Sequence, residues 1–118
     1  MKLIRISFVG NAAGEWKILN SIVAEEKSKS LENSESQQLF KSIKQKIELI
    51  RANPQYGDAV PKKLIPKKIP VDNLWVVDLI RFWRMLYTLK GSQIEILCFI
   101  LEICDHDRYN NIFGYRKK

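Results

Sequence analysis

His106 is the only histidine of the chain, and it stands between two carboxylates in Asp105-His106-Asp107. An imidazole with an ordinary pKa of about 6.5 suits proton transfer near neutral pH. The competing interpretation is that the Asp-His pair caps a short helix. A metal site is not expected, because adjacent residues rarely converge on one ion. We therefore expect acid–base chemistry or helix capping here, with no metal and no other cofactor.

Four lysines occur without a carboxylate in a proline-rich segment. Pro61-Lys62-Lys63-Leu64-Ile65 is nearly repeated as Pro66-Lys67-Lys68-Ile69. The prolines are expected to hold this segment extended, with its lysines forming a rim that follows a phosphate backbone. A solvated loop is the other interpretation.

The charge balance favours polyanionic partners. Twenty Lys and Arg against thirteen Asp and Glu give the 118-residue chain a formal charge of +7. Nucleic acid, an anionic membrane surface and an acidic protein are the classes that such a balance favours. The C-terminal tail adds a ring and three cations, Tyr115, Arg116, Lys117 and Lys118, which are natural additional phosphate contacts, or simply a frayed basic end.

The elements that must position these groups follow from hydrophobic periodicity. The pattern predicts a strand over residues 3–9, a helix to about residue 29 with Asn11 as its N-cap, and a second helix that ends near Asn53-Pro54. Ser34 and Gln37 have the spacing of a capping box at the start of the second helix. Two helices joined by so short a turn should form an antiparallel hairpin.

The second half of the chain is predicted to be mainly strands. After a loop over residues 53–71, apolar runs predict strands at 74–80, 83–89 and 93–104, with a hairpin at Gly91-Ser92. Asp105 is a suitable N-cap for a short helix that ends before Gly114. We therefore predict an α+β fold: an N-terminal strand, a helical hairpin packed on an antiparallel sheet of about four strands, and a short C-terminal helix.

Alternation along one strand separates the side chains of Arg84 and its neighbours. Trp83, Met85, Tyr87 and Leu89 share one face, which suits a core beneath the helices. Arg84 is then directed to the opposite, only partly covered face, where it could pair with Asp78.

The bulk properties indicate one soluble domain spanning residues 1–118. The longest apolar stretch is interrupted by glutamates and too short to cross a bilayer, and no signal region is recognisable, so we expect a cytoplasmic protein without a membrane partner. Cys98 and Cys104 lie in one predicted strand, roughly 20 Å apart. They are too distant to form a disulfide, and we expect buried thiols.

The block from Asn73 onward resembles archaeal-type RelE toxins of the RelE/ParE superfamily. The residues that carry the resemblance are Asn73-Leu74-Trp75, Trp83-Arg84-Met85-Leu86-Tyr87, Asp105-His106, Tyr109 and Phe113-Gly114-Tyr115-Arg116, together with the earlier Asn53-Pro54-Gln55-Tyr56-Gly57 and Pro61-Lys62-Lys63. With the order of elements, the resemblance covers nearly the whole chain.

The resemblance implies the toxin of a type II toxin–antitoxin pair, an endoribonuclease that cuts messenger RNA in the ribosomal A site. Such an enzyme needs no metal, because the 2′-hydroxyl of the RNA attacks the adjacent phosphate. Its partners would be the ribosome, mRNA and a small, acidic, partly disordered antitoxin, with a homodimer or a hetero-oligomer with the antitoxin both compatible with the sequence.

The same resemblance assigns residue roles. Arg84 corresponds to a phosphate-contacting arginine, and Tyr109 to a tyrosine that stacks on a base or takes part in proton transfer. The other interpretation of Tyr109, from its place near a helix, is a packing residue. A lysine before the second strand often acts chemically in RelE relatives, which adds to the interest of the Lys62 to Lys68 segment. Arg81, in the turn before Arg84, is a candidate contact to the RNA backbone or a solvated turn residue.

The C-terminal segment departs from the family pattern. Many relatives carry an arginine about four residues before the tyrosine, where this chain has Asp105. His106 and Arg108 are the nearest replacements. Three functions therefore remain open: a ribosome-dependent nuclease, a ParE-like toxin that inhibits DNA gyrase, and a degenerate member that only binds antitoxin or RNA.

Overall fold

The computed structural model describes residues 2–115 as a sheet with helices on both of its faces. The chain runs through β1 (Leu3–Phe8), α1 (Gly10–Ser28), α2 (Glu35–Ala52), β2 (Asp58–Ala59), β3 (Trp75–Asp78), β4 (Arg84–Gly91), β5 (Glu95–Cys104) and α3 (His106–Phe113). The α+β class and the order of the long elements agree with the prediction.

The sheet itself corrects the prediction of about four antiparallel strands. It has five strands in the order β1-β5-β4-β3-β2, and β1 pairs with β5 in parallel. The sheet is therefore mixed. A fifth strand was missed because β2 has only two residues, Asp58 and Ala59, inside the segment that was predicted to be entirely loop.

The helical hairpin covers one face of the sheet. Trp16 of α1 lies between Phe8 of β1 and Phe40 of α2 in a stack, with ring centroids 4.8 and 5.2 Å apart. Beneath this stack, Ile43, Met85 and Tyr87 are fully buried in the main core. Burial of apolar surface in this layer is the largest stabilising contribution to the fold.

A second, smaller core lies on the opposite face. Leu74, Leu86 and Cys104 of the sheet are buried there against Ile112 of α3 and the segment over residues 60–71. The expectation of partial cover is thus met by α3 and this segment, and both cysteines are free and buried. Burial raises the pKa of each thiol to about 12, so both stay protonated at neutral pH and are poor nucleophiles.

The caps of the helices follow the prediction in two cases of three. The hydroxyl of Ser34 accepts from the Gln37 backbone N–H at 3.1 Å, and the carboxylate of Asp105 accepts from the Arg108 backbone N–H at 2.8 Å. Asn11 does not cap α1. The helix already begins at Gly10, after Val9, and the Asn11 amide instead donates to Glu102 at 3.0 Å.

Asn73 has a structural role just before β3. Its amide nitrogen donates to the carbonyl of Leu89 at 2.9 Å, and its amide oxygen accepts from the Leu89 backbone N–H at 2.9 Å. The side chain thus imitates a strand residue and continues the pairing of β3 with β4.

No helix within residues 2–115 is long and apolar enough to cross a membrane.

Candidate functional site

Arg84 begins β4 and faces the side of the sheet that carries α3. Its Cα partners are Asp78 on β3 and Cys104 on β5, so it lies where two neighbouring strands end. The predicted direction of its side chain is confirmed, since Met85 and Tyr87 are buried under the helices on the other face. Its side chain is 23% exposed, which leaves the guanidinium accessible from one direction.

Three side chains from two elements, β3 and α3, surround the guanidinium. Nε of Arg84 lies 3.2 Å from Oδ1 of Asp78, and Nη1 lies 3.4 Å from Nδ1 of His106. The guanidinium carbon stands 4.4 Å above the ring centre of Tyr109, at the distance of a cation–π contact. These contacts hold a long, otherwise flexible side chain in one place.

Donor groups approach both ring nitrogens of His106. Arginine has donors only, so Nδ1 of His106 accepts where it bonds to Arg84. Nε2 lies 3.2 Å from Nδ2 of Asn110, which is also a donor. A ring with one acceptor nitrogen accepts from only one of these two donors at a time, and the tautomer decides which.

Tyr109 is held in its protonated form. Burial raises the pKa of its hydroxyl above the ordinary value of 10.0, Tyr115 adds to the rise, and the positive charge of Arg84 opposes it. The Tyr109 ring packs against Phe113 with centroids 4.7 Å apart. At neutral pH this hydroxyl is therefore a proton donor and not a base.

A cleft of about 300 Å³ opens beside Arg84. Its walls come from β2, β3, β4, the segment after β2 and the C-terminal region, and include Asp58, Pro61, Leu64, Asp78, Arg84, Tyr109 and Tyr115. Tyr115 belongs to the tail that the sequence offered as an RNA contact. Asp58 was not predicted as a cleft residue, because its position depends on the unpredicted strand β2.

Two of the predicted cations, Arg81 and Arg108, lie away from the cluster formed by Arg84, His106 and Tyr109. Arg81 reaches α2, where its guanidinium lies 3.1 Å from Gln38 Oε1 and 3.5 Å from Glu35 Oε1. Arg108 pairs with Glu102 at 3.7 Å and borders a different cavity, of about 580 Å³, beside the start of α1. That cavity is larger than the cleft, but it holds none of the three clustered residues.

The predicted lysines lie on two consecutive turns. Lys62 and Lys63 form a 3₁₀ turn between Pro61 and Leu64, and a second turn closes with the Ile69 N–H on the Pro66 carbonyl at 3.0 Å. The expectation of an extended segment is therefore wrong, because these backbone hydrogen bonds close each proline-initiated stretch into a turn.

The turns separate the four lysines by position. The turn of Lys62 and Lys63 adjoins the cleft, since its flanking Pro61 and Leu64 line it. Lys67 is exposed, and Lys68 donates to the Asn111 carbonyl near the end of α3 at 3.3 Å. Arg116, Lys117 and Lys118 lie outside the described residues.

Comparisons with protein-family models, with curated proteins and with solved structures found no match for this chain. The description of the site therefore rests on its own geometry. Arg84, His106 and Tyr109, which lie up to 25 positions apart in the sequence, meet at one place on the sheet.

Proposed function

We propose that this chain is a RelE/ParE-like toxin of a type II toxin–antitoxin pair, a metal-independent endoribonuclease that cuts ribosome-bound messenger RNA. The observation that carries the proposal is the meeting of a cation, an imidazole and a protonated phenol around Arg84. Cleavage by the 2′-hydroxyl requires a proton acceptor, a cation at the crowded phosphate and a proton donor. The three groups supply these three requirements.

Each residue has a proposed part in the reaction. The 2′-oxygen bonds to phosphorus while the bond from phosphorus to the 5′-oxygen of the next nucleotide breaks, which leaves a cyclic phosphate. Arg84 stabilises the negative charge on the phosphate oxygens. His106 takes the proton of the 2′-hydroxyl once Arg84 turns to the phosphate and releases Nδ1. Tyr109, which carries its proton at neutral pH, gives it to the departing 5′-oxygen.

Binding is proposed to draw on charges around the cleft. Lys62 and Lys63 adjoin its rim and suit the backbone of a single strand. The charge of +7 also suits a small acidic partner that neutralises the toxin.

The test is primer extension on a reporter transcript in a translation reaction with matching ribosomes. The wild-type protein should produce cuts within codons, and the cuts should disappear when ribosomes are omitted. Arg84→Ala should lower the cutting rate by about 10²–10³-fold, the usual cost of removing one preorganised donor at a transition state.

Arg5→Ala is the matched control, because it also removes one cation and one ion pair, with Glu95 at 2.8 Å. Arg5 lies on β1 beside the start of β5, whereas Arg84 lies beside the end of β5. Arg5→Ala should cut at the wild-type rate. Intact transcripts with the folded wild-type protein would refute the nuclease, and a block of gyrase supercoiling in the same preparation would favour the ParE-like activity. Equal cutting by Arg84→Ala would refute the site.

A further inference from the structure

Phe82 is a large apolar side chain that the fold leaves in solvent. It lies in the turn between β3 and β4 and is 76% exposed. Both Arg81 and Phe82 have positive φ angles, 58° and 64°. Consecutive left-handed residues in a hairpin turn usually include Asn, Asp or Gly, so an arginine followed by a phenylalanine is costly there.

The turn that carries Phe82 is fastened to the sheet and to α2. The Leu79 N–H donates to the Trp83 carbonyl at 2.7 Å, and the Ile80 N–H donates to the Ser42 hydroxyl at 3.1 Å. The side chain of Arg81 is bound to Gln38 of α2 on the same side. These contacts direct Arg81 toward the helices, while Phe82 is presented on the opposite side, toward α3.

The ring of Phe82 stands beside the cluster at Arg84. It meets the His106 ring edge-on, with centroids 6.3 Å apart, and His106 in turn contacts Arg84. On the other flank of Arg84, Tyr109 packs near Tyr115, which is 52% exposed. Arg84 therefore lies between two groups of aromatic side chains, each with one ring open to solvent.

We propose that Phe82 is a stacking platform for the nucleobase of a nucleotide that flanks the phosphate held by Arg84. The inference rests on the proposed function, in which single-stranded RNA occupies the site. A flat base has a π-face whatever its identity, so this contact would fix the strand without selecting a sequence.

The surroundings favour a nucleobase over an apolar protein side chain. The ring stands beside His106, which in turn contacts Arg84. Apolar Ile80 borders a separate groove along α2. An apolar protein side chain would be stabilised more by an apolar surround than by these polar groups, whereas a nucleotide combines a stacking face with a phosphate for Arg84.

The first experiment measures ribosome-dependent cutting over a range of programmed-ribosome concentrations for Phe82→Leu and Phe82→Tyr. Leucine keeps apolar character but has no ring, and should lower kcat/KM at least about tenfold. Tyrosine keeps the ring and should retain most of the wild-type value. Ile94→Ala is the control, since Ile94 is 77% exposed in the turn between β4 and β5, away from the site.

Equal kcat/KM for wild type and Phe82→Leu would overturn the stacking contact while the nuclease proposal stands. An equal fall for leucine and tyrosine would also overturn it, because a stacking ring is then not what matters.

The second experiment does not depend on cleavage. Phe82→Trp places a fluorophore at the platform, and its emission is followed at low ionic strength with a single-stranded RNA that 2′-O-methyl groups make uncleavable. An abasic strand of equal length and charge is the control. Quenching beyond that of the wild-type protein is expected with the base-bearing RNA alone.

Absence of this additional quenching would overturn the platform. Quenching in a protein that cuts no transcript would retain the platform and refute the nuclease. Emission that responds to the companion antitoxin protein but not to RNA would overturn the nucleobase proposal and assign Phe82 to a protein contact.

Discussion

The hydroxyl of Tyr87 connects the middle of the sheet to the strand that walls the cleft. Tyr87 is fully buried, donates to the Pro54 carbonyl at 2.8 Å, and accepts from the Gly57 N–H at 2.9 Å. Gly57 directly precedes Asp58 of β2, which lines the cleft. Tyr87→Phe leaves both backbone groups without this partner. Pro54 and Gly57 are half-buried, so each unsatisfied group should cost near the lower end of about 1–3 kcal/mol, and we expect a loss of about 2 kcal/mol in the free energy of unfolding.

Gly57 has no room for a side chain. A Cβ there would lie 2.8 Å from the Val76 carbonyl oxygen, 2.9 Å from the Tyr87 hydroxyl and 3.0 Å from a methyl of Val77. Gly57→Ala must therefore displace β2 from β3, at about 1–3 kcal/mol. In the double variant, Tyr87→Phe removes one of the crowding atoms. The combined loss should therefore be about 1 kcal/mol smaller than the sum of the single losses.

The assay is urea unfolding followed by tryptophan fluorescence, with the slope m checked for constancy among variants. Tyr56→Phe is the control, because its hydroxyl only meets Lys46 Nζ at 3.4 Å near the surface and should change the free energy by less than about 0.5 kcal/mol. A loss below about 0.5 kcal/mol for Tyr87→Phe would refute the hydrogen-bond argument. A loss in the double variant that equals the sum of the two single losses within about 0.5 kcal/mol would refute the steric argument.

Two further predictions concern alkaline pH and the strained turn. Burial raises the pKa of Cys98 and of Tyr87 to about 12, above their ordinary values of 9.0 and 10.0. The folded state thus keeps protons that the unfolded state has lost. The free energy of unfolding should therefore be constant below about pH 9 and fall toward pH 12, by up to about 1.4 kcal/mol per pH unit for each group; urea midpoints that stay constant to about pH 11 would contradict this. Phe82→Gly should raise the free energy of unfolding by up to about 1 kcal/mol, because the relieved left-handed strain exceeds the added chain entropy. A measured decrease in the same unfolding assay would show that the Phe82 ring stabilises the fold.

Local patterns predicted the orientation of Arg84 and offered Asp78 as its partner, but they did not predict its contacts with His106 and Tyr109. Strict alternation through Met85 and Tyr87 determines which face Arg84 occupies, because successive strand residues point to opposite sides. The N-cap role of Asp105 could likewise be predicted, because it depends only on residues close to it in the sequence. The approach of His106 to Arg84 depends on how α3 docks on the second core, which involves residues far apart in sequence.

The errors have a common physical origin. The parallel pairing of β1 with β5 joins residues about 92 positions apart, as in Leu3 with Glu95, and no local periodicity reports it. Asn11 is a residue type that favours the N-cap position, but α1 already begins at Gly10, before Asn11. The side-chain amide of Asn11 instead donates to Glu102 of β5. In both cases a tertiary contact overrides a local preference.

The net charge of the whole chain differs from the net charge of the side chains that line its cleft. Among residues 2–115, the cleft brings the guanidinium of Arg84 together with the carboxylates of Asp58 and Asp78, so these side chains offer little net attraction to a polyanion. The excess of seven positive charges must therefore be carried elsewhere, on exposed side chains such as Lys62 and Lys63. Attraction from those lysines acts over about a Debye length and weakens with salt. Arg84 acts only at contact, where Asp78 must yield it to a phosphate. Under the proposed function, the first binding of RNA thus depends on the exposed lysines, whereas its cleavage depends on Arg84. The reason is that the carboxylate of Asp78, which holds Arg84 in position, also neutralises the charge of Arg84 at longer range.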